Sequence, residues 1–248
     1  VGRRLMAQAA EGVLRVSMEL GGNAPFIVFE DADLDKAVEG AMLAKFRNIG
    51  QACTAANRVI VHASVVGAFA DRITERVSAM ALGRGTEPGV EIGPLIDEKA
   101  VAKASELVAD AVRRGATVRT GGAVPEGEGT FYEPTVLAGV TSEMACFRDE
   151  TFGPVVAIHP VDDVDEAIAL ANDSEFGLGA NIYTENLAEA MRAINEIESG
   201  IVWVNTPLND NDCVPFGGRK MTGQGRELGS EGLEQFRRAK MVMIAPQA

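Results

Sequence analysis

Alternation between short apolar runs and longer amphipathic runs predicts an α/β layer fold for this 248-residue chain. Three observations carry that expectation. Runs such as 155–161 and 201–205 are apolar, rich in β-branched residues and too short for helices. The stretch 97–114 places Val101, Ala104, Val108, Ala111 and Val112 on one helical face. Asp, Ser and Gly stand where one kind of run gives way to the other, as helix caps and stops require.

In chain order, 3–11 has helical character and stops at Gly12. Residues 13–18 and 25–29 read as strands. A helix follows, opened by Asp33 as N-cap, with Leu34, Ala37, Val38, Ala41, Met42 and Phe46 at helical spacing. It leads into the polar loop around Cys53. Strand 59–61 comes next, then a helix from a Ser64 cap toward Leu82, a turn-rich loop over 83–94, and a helix from an Asp97 cap to Gly115. A second loop spans 121–129. Strands are expected at 135–137, 155–161, 179–183 and 201–205, with helices at 164–171 and 187–198. The irregular stretch 206–225 carries Asn209-Asp210-Asn211-Asp212 and Pro215-Phe216-Gly217-Gly218, and loops of that length in compact domains are often functional. Residues 239–244 are strand-like and apolar, which alone would leave an exposed edge.

Hydrophobic and charged shares of 46% and 24% are those of a soluble globular protein with one large domain or two small ones. No stretch approaches the ~20 apolar residues of a membrane span, and the first residues lack a signal-peptide layout. A cytoplasmic protein with no membrane partner is the expectation. The net charge of −13 disfavours nucleic acid and anionic surfaces, which recruit clustered Lys and Arg. Cys53, Cys146 and Cys213 are an odd set without a C-x-x-C pair, so neither a disulfide framework nor a metal site is indicated.

Cys53 is the candidate nucleophile. It lies in Asn48-Ile49-Gly50-Gln51-Ala52-Cys53-Thr54, at a helix-to-strand junction where a thiol can be exposed and its pKa lowered by local dipoles. The alternative is a buried small hydrophobe, the common fate of a free cysteine. His62 and His159 each sit inside an apolar run, which disfavours a Cys-His dyad. A carboxylate acting through water is the remaining simple base. Glu19 suits that task, because it ends a strand-like run and precedes the Gly21-Gly22 pair, where backbone can approach a ligand.

Met18-Glu19-Leu20-Gly21-Gly22, Phe46-Arg47-Asn48 through Cys53, Glu150-Thr151-Phe152-Gly153-Pro154, Pro215-Phe216-Gly217-Gly218 and Gly223-Gln224-Gly225-Arg226-Glu227 resemble, in order, the motifs of the nicotinamide-dependent aldehyde dehydrogenases. The resemblance covers essentially the whole chain. It implies a three-layer aldehyde-dehydrogenase-like catalytic domain with a largely parallel sheet over 23–228. It further implies a remnant of a dinucleotide-binding domain at 1–22 and an oligomerisation tail strand within 229–248, in a homodimer or homotetramer. Residues 1–6 look like the continuation of the family's phosphate-binding turn, so most of the cofactor domain is expected to be missing from this stretch.

The resemblance also implies roles. Cys53 attacks the aldehyde, Glu19 manages protons, and the backbone N–H of Cys53 helps hold the oxyanion. Leu20, Glu150 and Phe152 resemble contacts to NAD or NADP, the carboxylate accepting from ribose hydroxyls. Glu227 matches a carboxylate near the tunnel with a further catalytic role. Arg47 resembles the substrate-carboxylate ligand of succinate-semialdehyde dehydrogenases, while Cys213 and Phe216 would line the substrate entrance. Two features depart from that subfamily: Ala55 stands where a second cysteine is common, and acidic Asn209-Asp210-Asn211-Asp212 replaces hydroxyl-bearing residues. Aspartates would repel an anionic substrate, which leaves a neutral or cationic aldehyde open.

Two rivals remain at this level: a cofactor-independent thiol esterase using Cys53 and Glu19, and a non-enzymatic oligomerising relative. The resemblance predicts that residues 1–248 assayed alone oxidise aldehydes far more slowly than an intact family enzyme. An NAD-dependent rate comparable to an intact enzyme's would contradict it.

Overall fold

The computed structural model describes residues 1–206 and 211–246. Within them a seven-stranded sheet runs in the order β4-β5-β6-β3-β2-β8-β9. These strands are β2 (Ala24–Val28), β3 (Ala56–His62), β4 (Thr117–Thr120), β5 (Thr135–Ala138), β6 (Val155–Val161), β8 (Gly179–Tyr183) and β9 (Ile201–Val204). Every pairing is parallel except β4 against β5. Parallel strands need crossovers, and the intervening helices supply them. Helices α2 (Leu34–Phe46) and α3 (Val66–Ser78) cover one face. On the other lie α4 (Glu98–Arg113), α5 (Ala145–Arg148), α6 (Val164–Asn172) and α7 (Leu187–Glu196). The expected three-layer α/β architecture is therefore present.

Alternation along the central strands divides the core. Ile27 and Ile60 join the cluster under α4 and α6, whereas Phe26, Val28, Val59 and Val61 join the one under α2 and α3. Both faces being covered explains why these strands read as nearly unbroken apolar runs. Tyr183 stacks on Phe26 with ring centroids 4.9 Å apart, and its hydroxyl is buried with no hydrogen-bond partner among the described residues. Gly40 on α2 makes that packing possible, since a Cβ there would lie 1.8 Å from the Tyr183 oxygen.

The caps expected at Asp33 and Asp97 are made: Asp33 accepts from the N–H of Asp35 and Lys36, and Asp97 from that of Ala100. Asp163 does the same for α6. Helix α1 (Gly2–Glu11) stops at Gly12 as expected. Ser64 does not cap α3. Its hydroxyl bonds Nδ1 of His62 at 2.7 Å, the helix begins at Val66, and it ends at Ser78 rather than near Leu82.

Residues 13–17 are not a strand. Val13 has φ 49° and is 92% exposed, so this apolar alternation faces no core, and only β1 (Met18–Glu19) forms, antiparallel to β11 (Gly223–Gln224). The expectation at 239–244 also differs, because these residues form no strand and Met241, Met243 and Ile244 are exposed. Elements the sequence did not signal are short or polar: β4, β7 (Phe176–Gly177) paired with β10 (Arg219–Lys220), and α8 (Gly229–Gln235). Asn209 and Asp210 lie outside the described residues. Among the described residues no helix is long and apolar enough to cross a membrane.

Gly-to-Ala in an open helix stabilises by roughly 1 kcal/mol, but overpacking against a buried ring costs ~1–3 kcal/mol. Gly40→Ala is therefore expected to lower the melting temperature. An unchanged or higher value in a thermal scan would contradict the tight α2–Tyr183 fit.

Candidate active site

Topology gathers the site. Strands β6, β3 and β2 are neighbours and parallel, so the segments that lead into them arrive at one end of the sheet. These segments carry Glu150 and Phe152 before β6, Arg47 to Thr54 before β3, and Glu19 to Gly22 before β2. They surround a cleft of about 700 Å³, whose wall Phe216 completes.

Backbone contacts fix the segments to one another. A Cβ on Gly22 would lie 2.2 Å from the Cys53 carbonyl oxygen, so only glycine allows this approach. The Gly22 N–H donates to Glu150 Oε1 at 2.9 Å, and a Cβ on Gly21 would lie 2.8 Å from Glu150 Oε2. Beneath them Arg58, 1% exposed, donates to the carbonyls of Asn23 at 2.9 Å, Leu170 at 2.7 Å and Ala171 at 2.9 Å. Two of these acceptors end α6, where the helix dipole favours a cation. Lys45, also buried, donates to Asn57 Oδ1 at 2.8 Å and ties the end of α2 to the start of β3. Desolvation draws its pKa down to about 7.

The Cys53 thiol is half-buried and faces the cleft. The expected lowering of its pKa is reversed. Burial and then the nearby Glu19 carboxylate push it up, outweighing the backbone N–H groups of Cys53 and Thr54 that favour thiolate. Glu19 is itself raised to about 7, chiefly by burial and then by Glu227, with Arg226 opposing. Its Oε2 is buried with no hydrogen-bond partner among the described residues. A thiol held toward its neutral form beside a carboxylate raised toward neutrality is a pair able to exchange a proton.

The structure brings Cys53, Glu19, Leu20, Arg47, Glu150, Phe152 and Phe216 to this one cleft. Glu227 does not line it, reaching the site through its charge on Glu19 and through paired backbone hydrogen bonds with Phe216 at 2.8 and 2.7 Å. Cys213 is exposed and outside the lining, its N–H held by Asn211 Oδ1, so the substrate-entrance reading loses its geometric support. Cys146 is fully buried, and burial raises its thiol to about 12. Sequence reasoning passed over Asn48 and Gln51. The Asn48 amide donates to the Gln51 carbonyl at 2.8 Å, and Gln51 Oε1 accepts from the Ile96 N–H at 3.0 Å, which braces the Cys53 loop. Polar residues flanking the nucleophile were the available signal. No group of His, Cys, Asp and Glu suited to a metal ion occurs among the described residues.

A thiol, a carboxylate raised toward neutrality and a second carboxylate beside an exposed aromatic ring thus share one cleft at the end of a parallel α/β sheet. The family model of the aldehyde dehydrogenases matches residues 1–242, and the chain belongs to that family. It is 48% identical over 244 residues to glutarate-semialdehyde dehydrogenase of Pseudomonas aeruginosa, covering 98% of this chain and 50% of that protein. Identity is also 48% to the NADP(+) succinate-semialdehyde dehydrogenase of Escherichia coli, over 98% of this chain and 51% of that one. The crystal structure of succinate-semialdehyde dehydrogenase from Burkholderia pseudomallei superposes with a TM-score of 0.93 at 47% identity, over 95% of this chain and 49% of that one. The chain thus spans about half the length of the curated relatives it matches.

Because the Glu19 pKa rises on folding, the native state holds a proton that the unfolded state releases as pH climbs from 4.5 toward about 7. The Glu19 cost to stability therefore grows through that window and stays constant above it. Glu19→Gln is expected to stabilise the protein at pH 8 by on the order of 1–3 kcal/mol, the cavity remaining partly hydrated, and to have little effect at pH 4. Equal shifts in denaturant midpoint at both pH values would contradict the assignment.

Proposed function

We propose that this chain is the catalytic portion of an NAD(P)-dependent enzyme that oxidises an aldehyde to its carboxylic acid through a thioester on Cys53. The observation that carries the reading is the shared cleft of Cys53 and Glu19, in which burial and then the carboxylate's charge raise the thiol. As the sulfur attacks the carbonyl carbon, the thiol proton passes to Glu19 directly or through one water, and a C–S bond forms. The backbone N–H groups of Cys53 and Thr54 favour the thiolate, and that of Cys53 is the one assigned to the developing oxyanion. Loss of hydride from the former aldehyde carbon leaves the acyl group on Cys53. Glu19 releases the thiol's proton to solvent and, as a carboxylate again, takes a proton from water. The hydroxide adds to the acyl carbon, the C–S bond breaks, and acid and thiol are regenerated.

Glu150, Phe152 and Leu20 fit a nicotinamide ribose. The Glu150 carboxylate closes over the small Gly21-Gly22 turn, and Phe152 presents a partly exposed ring to the cleft. When bound there, NAD(P)+ supplies the hydride acceptor. Arg47 on the cleft wall supports an aldehyde with an anionic tail, with succinate semialdehyde the first candidate. Asp212 and the absence of a second thiol at Ala55 weigh against that particular substrate. The apolar, exposed 241–244 segment supports pairing with another subunit of a homodimer or homotetramer, and free cysteines in an acidic chain fit the cytoplasm.

The test is NAD(P)-dependent oxidation of succinate semialdehyde, glutarate semialdehyde and a neutral aldehyde by the protein that carries this chain. Cys53→Ala is expected to abolish turnover of all three, by ~10³-fold or more. Arg47→Leu should raise KM for the anionic substrates only. Oxidation surviving in Cys53→Ala would refute the proposal.

A further inference from the structure

The backbone ahead of Cys53 is coiled the wrong way. Asn48 (φ 50°, ψ 36°), Ile49 (φ 62°, ψ 24°) and Gly50 (φ 75°) form consecutive left-handed residues between α2 and the nucleophile. Asparagine and glycine tolerate that region, but a β-branched residue does not. Ile49 is the strained member.

Each neighbour explains part of the turn. Gly50 is forced by space as well as by φ, because a Cβ there would lie 2.3 Å from the Gly153 carbonyl oxygen and 3.2 Å from that of Lys45. Asn48 closes the turn by bonding to Gln51 through its side chain and its carbonyl. Neither accounts for an isoleucine between them. What does is where its side chain goes: Ile49 packs against both hydrophobic clusters, one on each face of the sheet, and its Cδ1 rests over Gly93. Among the described residues it alone is partly buried against both clusters. Strain at a functional site persists only where surrounding structure over-determines it, and this anchor supplies that constraint.

We infer that Ile49 is a positioning residue for Cys53: its side chain, wedged between the two cores, holds the left-handed turn that aims the thiol into the cleft. The inference rests on the proposed nucleophilic role of Cys53 and deepens it. Ile49 itself does not line the cleft, so it acts only through the loop. Replacing it with glycine removes the wedge and the strain together, leaving overall stability little changed and the loop free to relax. Replacing it with leucine keeps an apolar anchor without β-branching.

The experiment measures iodoacetamide labelling of Cys53, Cys146 and Cys213 by peptide mass spectrometry across pH 5–10, alongside thermal melting. In the unchanged protein Cys53 should label faster than buried Cys146, with a pH profile distinct from that of exposed Cys213. If it does not, the nucleophile reading itself fails. Given that reading, Ile49→Gly is expected to slow Cys53 labelling about tenfold and shift its pH midpoint, since small misplacements of a reacting group cost rate steeply. Cys213 should be unaffected, and Ile49→Leu should stay within about twofold of the unchanged protein. Should Ile49→Gly fail to fold, Ile49→Asn tolerates the left-handed backbone but lacks the apolar wedge, and should show the same selective loss. A folded Ile49→Gly or Ile49→Asn with an unaltered Cys53 rate and midpoint would overturn the inference while leaving the nucleophile reading intact.

Discussion

The site depends on one backbone approach, that of Gly22 to the carbonyl of Cys53. No side chain fits between them. The contact locks the segment bearing Glu19 against the loop bearing the thiol, and the Gly22 N–H reaches the Glu150 carboxylate from the third segment. Arg58 secures the arrangement from below by gathering the carbonyl of Asn23 and the last turn of α6. A buried guanidinium serves well here because its planar fork spreads several donors over separate backbone acceptors.

Open parallel sheets more often place ligands beyond the carboxyl ends of their strands. Here the cleft lies off the amino ends of β2, β3 and β6, which moves the burden from strand ends and helix dipoles to tightly wound lead-in segments. Left-handed residues and glycines accumulate there accordingly: Asn48, Ile49, Gly50 and Phe152. The same tight packing excludes solvent, and that exclusion sets the electrostatics. Desolvation is the first cause of the raised pKa at both Cys53 and Glu19. Burial thus favours the neutral thiol at Cys53 and the protonated carboxyl at Glu19.

Much of this was visible in the residues. Asp33 and Asp97 mark helix starts because a short carboxylate before an apolar stripe has one obvious use, and both caps form. The glycine pair at 21 and 22 signalled close backbone approach, and Gly50 did not stand out from its loop. The direction of the Cys53 pKa was not legible, since it depends on how deeply tertiary packing buries the loop. Nor was the left-handed turn at Ile49, because a β-branched residue argues locally for extended backbone and only the two cores together override it. Residues 13–17 misled in the opposite sense, offering strand-like alternation with nothing to pack against. Ser64 chose a histidine ring over a helix N-terminus, a competition sequence alone does not decide.

The central claim, that the thiol of Cys53 forms the covalent bond to carbonyl carbon with Glu19 serving it, is tested most directly by trapping the acyl intermediate. The chain would be exposed to an activated ester, quenched in acid and mapped by peptide mass spectrometry. The account predicts a single acyl group on Cys53, formed more slowly in Glu19→Gln. An acyl group on Cys213 instead, or none on any cysteine, would contradict it.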